Sequence, residues 1–195
     1  MRNLHSRRRT FRQRGQALVE MTIIVPILML MLGGVVEATF LLTADLSLET
    51  ASREGARVAA AMGNNGTQGV CPNAAAEAAV DPLVLQTIQN SLTNSGVNLS
   101  GLQVVIYLAN AAGNSDGTNQ NVYNWNGTSF TTASYAWKAC GRHDGTFGGG
   151  VYDQVGVKLS LTYQSRTGLL APIFGSGLPM TAAAVYPIGP PWTLN

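Results

Sequence analysis

Two histidines and two cysteines are the side chains of this 195-residue protein best suited to acid–base, nucleophilic or metal chemistry, and their spacing serves none of it. His5 lies in a basic head, and His143 stands beside Asp144 in a Gly-rich stretch, where a solvated pair is the default. Cys140-Gly141-Arg142-His143 offers too few ligands for zinc. There is no nucleophile elbow, phosphate loop or metal-spaced cluster. Neither an enzyme, nor a cofactor, metal or small-molecule substrate is expected. Two carboxylates point to chemistry of another kind: Glu20, at the threshold of a long apolar run, and Glu37, inside it. A carboxylate near hydrocarbon is costly, and becomes favourable when a positive group meets it at the same depth.

The element that positions both is the run Met21–Leu42, in which Glu37 is the single charge. Its length suffices for a helix to cross a hydrocarbon core of roughly 30 Å. Only 11% of the residues are charged, against roughly 25% in soluble domains, so part of the chain avoids water. Residues 1–15 hold six arginines and no acid; of 12 basic and 10 acidic residues, 6 and 10 remain for residues 16–195, a balance of −4. A basic head on an acidic body predicts a cytoplasmic amino terminus and an exoplasmic carboxy-terminal part. Basic residues cluster with aromatics nowhere, which argues against nucleic acid. A cleaved secretory signal fits less well, because the run is too long and no A-x-A-like site follows it. Arg8-Arg9-Thr10-Phe11 imitates a twin-arginine signal, but the run behind it is anchor-like.

Pro26 removes a helical N–H and crowds the Thr22 carbonyl, so a kink or hinge is expected there unless the Thr22 hydroxyl or a neighbouring helix compensates. Gly33, Gly34 and Ala38 form a small-residue face that would admit another helix. Glu37 is expected to reach toward the outer headgroups, the competing reading being a specific intramembrane partner. Beyond the span the helix continues to Met62, supported by Glu49–Arg53 and Glu54–Arg57 spacings and stopped by Gly63-Asn64-Asn65-Gly66. The stripe Leu48, Ala51, Gly55, Val58, Ala59, Met62 recurs at helical spacing. Gly55 costs about 1 kcal/mol in a helix interior, which close approach by another backbone would compensate. The rod from Gln16 to Met62 would measure roughly 70 Å.

The succession Gly15-Gln16-Ala17-Leu18-Val19-Glu20, Pro26, Gly34-Val35-Val36-Glu37 and Ala51-Ser52-Arg53-Glu54-Gly55-Ala56-Arg57-Val58-Ala59 resembles the TadE-like pseudopilins of Tad (Flp) pilus systems. One departure is Met21, where Flp-type sites often carry an aromatic. The resemblance implies that a prepilin peptidase cuts between Gly15 and Gln16, leaving Glu20 as the fifth mature residue. Glu20 would then pair with the new Gln16 α-amine of an adjacent subunit and set the register of a helix bundle; the competing reading leaves it solvated and paired with Arg14. The implied partners are the bilayer, the peptidase, other pseudopilins and the major Flp pilin, in the cytoplasmic membrane of a bacterium. The alternative is a permanently anchored exoplasmic binding module whose helix is only a tether.

The expected fold class is α+β, with a pilin-like organisation: leader 1–15, transmembrane and extended helix 16–62, and exoplasmic domain 63–195. A helix is expected over Ala74–Leu92, broken at Asp81-Pro82. Strands are expected over Leu102–Leu108 and Val155–Tyr163, with weaker candidates at Ser134–Ala139 and Thr181–Tyr186. Residues 110–133 and 141–150 read as loops, the first pinned by Tyr123, Trp125 and Phe130. Cys71 and Cys140 both lie beyond the span, where an oxidising compartment favours a disulfide. The glycosylation sequons at Asn65, Asn98 and Asn126 arise readily by chance in so Asn/Thr-rich a chain and carry no function.

Overall fold

The computed structural model describes residues 4–62, 74–142, 152–168, 175 and 177–189, with backbone alone over 4–15, 74–79 and at 140. Two helices, α1 (Leu4–Met62) and α2 (Ala74–Asn94), precede five strands: β1 (Gln103–Ala109), β2 (Ser115–Trp125), β3 (Phe130–Tyr135), β4 (Gln154–Tyr163) and β5 (Leu178–Pro187). The class is α+β, as expected: a long amino-terminal helix and a small antiparallel sheet. The chain divides into two compact units, Met1–Leu41 with Gln164–Ser176, and Leu42–Tyr163 with Gly177–Asn195.

In the first unit, α1 carries the apolar run with its side chains open. Leu18, Val19, Met21, Ile23 and every large apolar residue through Leu32 are exposed. Among the described residues this is the one helix long and apolar enough to cross a membrane. The helix passes through Pro26 without a break. The Thr22 hydroxyl donates to the Leu18 carbonyl at 2.7 Å, so it does not serve the carbonyl that Pro26 leaves without a donor.

In the second unit the sheet order is β3-β2-β1-β4-β5, every neighbour antiparallel. β4 alternates as its sequence requires, with Val155, Val157, Leu159, Leu161 and Tyr163 turned to the core. Val104 and Ile106 of β1 pair with Leu159 and Val157, and Leu48, Ala51, Ala56 and Ala59 of α1 and Val80, Val84, Ile88 and Leu92 of α2 are buried as well. α2 does not break at Asp81-Pro82, which corrects the expected interruption. Pro82 is exposed, while the apolar stripe on either side of it is buried, so packing outweighs the local cost of about 3 kcal/mol. The expected loop over 110–133 is likewise corrected: it forms a hairpin, β2 and β3, with Trp125 opposite Phe130. β3 ends at Tyr135, so the candidate strand at Ser134–Ala139 starts earlier, and a short 3-10 helix follows at Ala139–Gly141.

Gly156 shows why this sheet needs a glycine at its centre. It pairs with Tyr107 on β1, and a Cβ there would lie 2.2 Å from the tyrosine Cζ. The ring covers the glycine, and its hydroxyl donates to the Gly113 carbonyl at 3.0 Å.

Candidate functional site

The residues singled out by sequence fall into three groups. At the inner end of the apolar run, Gln16 and Glu20 are both exposed and one helical turn apart. The Gln16 Nε2 donates to Glu20 Oε1 at 3.3 Å. The second carboxylate oxygen has no partner among the described residues, and the Arg14 side chain lies outside them. Gln16 and Glu20 are thus presented together on an open face of α1, with the Glu20 carboxylate turned toward the Gln16 side chain. A Cβ at Gly34 meets nothing within 4 Å, and Ala38 is exposed, so the small-residue face is open as well.

Gly55 behaves differently, and the expectation of a second backbone beside it is corrected. A Cβ there would lie 2.8 Å from both Cδ1 and Cγ1 of Ile88 and 3.6 Å from Val157 Cγ1. The close approach is made by side chains of α2 and β4 in the same chain. The motif Arg53–Arg57 therefore splits: Gly55 and Ala56 are buried against the core, while Arg53 and Arg57 face solvent. Arg53 pairs with Glu49 one turn earlier, as the spacing predicts.

Glu37 does not behave as a solvated boundary residue, which corrects the third expectation. It is 0% exposed, although Val35, Val36 and Phe40 around it are 66%, 47% and 39% exposed. Its Oε1 accepts from the Arg166 backbone N–H at 3.0 Å; its Oε2 accepts from the Thr167 N–H at 3.0 Å and the Thr167 hydroxyl at 2.6 Å. The turn that supplies these donors is Ser165-Arg166-Thr167-Gly168, in which Gly168 has φ +71° and donates to the Ser165 hydroxyl at 3.2 Å. Two successive N–H groups presented to one anion make a backbone nest. No spacing rule links positions 37 and 167; the Ser-x-Thr-Gly turn was the only local signal.

A second buried polar cluster was also missed from sequence. Asp81 on α2 receives Arg142 Nη2 at 2.8 Å on one oxygen. Its other oxygen receives Asn121 Nδ2 and the Tyr123 hydroxyl, each at 2.7 Å. Asn121 also bridges both backbone groups of Trp137, accepting from its N–H at 2.9 Å and donating to its carbonyl at 2.7 Å. The Arg142 guanidinium lies 4.6 Å from the Trp137 ring centre, and its Nε and Nη1 have no hydrogen-bond partner among the described residues. Burial, the Asp81 charge and the hydrogen bond to it push the Tyr123 hydroxyl well above its usual range. Tyr123, read from sequence as a loop pin, therefore anchors β2 to α2. The cluster is buried, and it ties α2, β2 and the segment from Trp137 to Arg142 together.

Cys71, His143 and Asp144 lie outside the described residues, as does the Cys140 side chain. Among the described residues no three histidine, cysteine or acidic side chains gather as a metal site would require.

The family model described as TadE-like protein matches residues 15–57. The match begins at the glycine before the apolar run and ends at Arg57, spanning Glu20, Gly34, Glu37 and Gly55. Neither curated proteins nor solved structures match the chain.

Proposed function

We propose that this chain, which carries the TadE-like segment at residues 15–57, is a minor pseudopilin: a membrane-inserted structural subunit that helps assemble a Tad (Flp) pilus serving surface adhesion. The observation that carries this reading is the exposed Gln16–Glu20 turn at the head of an open apolar helix. Residues 1–15 act as a basic leader, 16–62 as the helix and 63–195 as the exoplasmic part, with the amino terminus in the cytoplasm of a bacterium.

The mechanism follows from charge and depth. Six arginines hold the precursor's amino terminus on the inner face, because moving each into hydrocarbon costs several kcal/mol. A prepilin peptidase cutting after Gly15 removes all six and creates an α-amine on Gln16, mostly protonated near neutral pH. The Gln16 side chain occupies one oxygen of its own Glu20, leaving the other to the amine of a neighbouring subunit. That pairing fixes the axial register while Gly34 and Ala38 let the helices approach. Gly55 is already filled from within the chain and takes no part in subunit packing. A Cys71–Cys140 disulfide belongs to the same reading, as a brace suited to the exoplasmic side.

Glu20→Ala tests the proposal. The variant stays in the membrane, since loss of a charge favours insertion. A charged hydrogen bond contributes about 1.5–3 kcal/mol, so crosslinking to other pseudopilins or the major pilin should fall about tenfold or more. Undiminished crosslinking and normal piliation would instead favour a permanently anchored exoplasmic binding module.

A further inference from the structure

In water the Glu37 cage would gain no more than an exposed carboxylate gains by capping backbone amides. An exposed carboxylate and the exposed amides of a turn are both well hydrated there, and ordering them against each other gains little. At the edge of a hydrocarbon layer the situation reverses. Backbone N–H groups need partners at that depth, and an acid needs donors. Here each supplies the other: the Arg166 and Thr167 amides and the Thr167 hydroxyl close on a fully buried Glu37.

Four further observations are consistent with a bilayer boundary at this cage. Counted from Met21, Glu37 is 37 − 21 = 16 residues along α1, or about 24 Å of rise, which falls near the far side of a ~30 Å core. The apolar side chains beside it, Val35, Val36 and Phe40, are exposed. The Arg166 guanidinium lies 5.4 Å from the Phe40 ring centre, an aromatic and a long basic side chain stacked at the level where both are favoured in membranes. Gln164–Gly168 also groups with the amino-terminal part of α1 and not with the strand β4 that precedes it.

We infer that Gln164–Gly168 is a second membrane contact of this protein, that its partner is the outer leaflet of the bilayer, and that Glu37 is the positioning residue that sets its depth. The inference rests on α1 being a span and is independent of the pilus role, so it stands or falls equally for an anchored binding module.

Site-specific photocrosslinking of the full chain in phosphatidylcholine–phosphatidylglycerol nanodiscs tests it. A benzophenone side chain at Gln164 should form a phospholipid adduct, whereas one at Thr128, in the β2–β3 hairpin, should not. Glu37→Ala should reduce the adduct at 164 to the Thr128 background while leaving an adduct at Leu30, inside the span, unchanged. Limited trypsin digestion gives a second readout: the Arg166–Thr167 bond should resist cleavage in the wild type and open in Glu37→Ala, with Thr167→Val intermediate. Absence of a lipid adduct at 164 in the wild type, or an adduct and a cleavage rate unmoved by Glu37→Ala, would overturn the inference.

Discussion

Removing Asp81 should destabilise the sheet-bearing unit more than any other single polar change, because three buried donors converge on one carboxylate. In Asp81→Ala the Arg142 guanidinium keeps its charge and loses the one acceptor it has among the described residues, where Nε and Nη1 already lack one. Breaking one side of a buried pair costs about 3–5 kcal/mol. The Asn121 amide retains the Trp137 carbonyl, but the Tyr123 hydroxyl is orphaned as well, adding about 1–3 kcal/mol. Because the truncated site admits water, these terms overlap, and the expected loss is about 4–5 kcal/mol. Trp125 and Trp137 both lie in this unit, so urea unfolding of the purified full chain in detergent, followed by tryptophan fluorescence, reads it directly. The double variant Asp81→Ala/Arg142→Met separates charge from packing: with no charge left unpaired it should recover roughly 2–3 kcal/mol relative to the sum of the single losses. A loss under about 1 kcal/mol in Asp81→Ala, or strict additivity in the double variant, would refute the claim that this ion pair organises the unit.

Two further outcomes concern the same unit. Burial first, then the Asp81 charge, raises the Tyr123 hydroxyl above the unfolded value of 10.0, so the folded state keeps a proton that the unfolded chain sheds. Stability is therefore unaffected by this group below pH 10.0 and falls above it, by up to about 1.4 kcal/mol per pH unit; Tyr123→Phe should flatten that decline in alkaline urea titrations, leaving the smaller contribution of Tyr107, also raised by burial. Gly55→Ala should cost about 1–3 kcal/mol, because its Cβ would lie 2.8 Å from two atoms of the buried, β-branched Ile88 and the gain in helix propensity of about 1 kcal/mol does not offset that overpacking, and Gly55→Val should cost more. Equal stability of the valine variant and the wild type in the same unfolding assay would contradict the packing assigned to Gly55.

What could be read in the sequence was set by periodicity and composition. α1 and β4 were legible because a long, nearly uncharged apolar run and a strict alternation are strong local signals, and β1 because its short apolar run is rich in β-branched and aromatic residues. β2 was not, because Ser115–Gln120 is polar and the strand lies one place from the sheet edge, with its first four residues exposed; the strand signal is concentrated in Val122, Tyr123 and Trp125 at its far end. The helix break assigned to Pro82 failed where the buried faces of Val80, Val84 and Ile88 outweighed a local rule. The inner end of the candidate site, Gly15 to Glu20, was visible as a local motif. The partners of Glu37 and Asp81 were not, because they lie 129–130 and 40–61 residues away, and no sequence spacing encodes contacts of that range.

The central claim, that this chain is processed and assembled as a pseudopilin, is tested most directly at its amino terminus. Amino-terminal sequencing of the protein recovered from membranes of piliated cells should begin at Gln16, and Gly15→Val should retain the arginine head. A mature protein that still carries residues 1–15 in those cells would contradict the account and leave a permanently anchored exoplasmic module in its place.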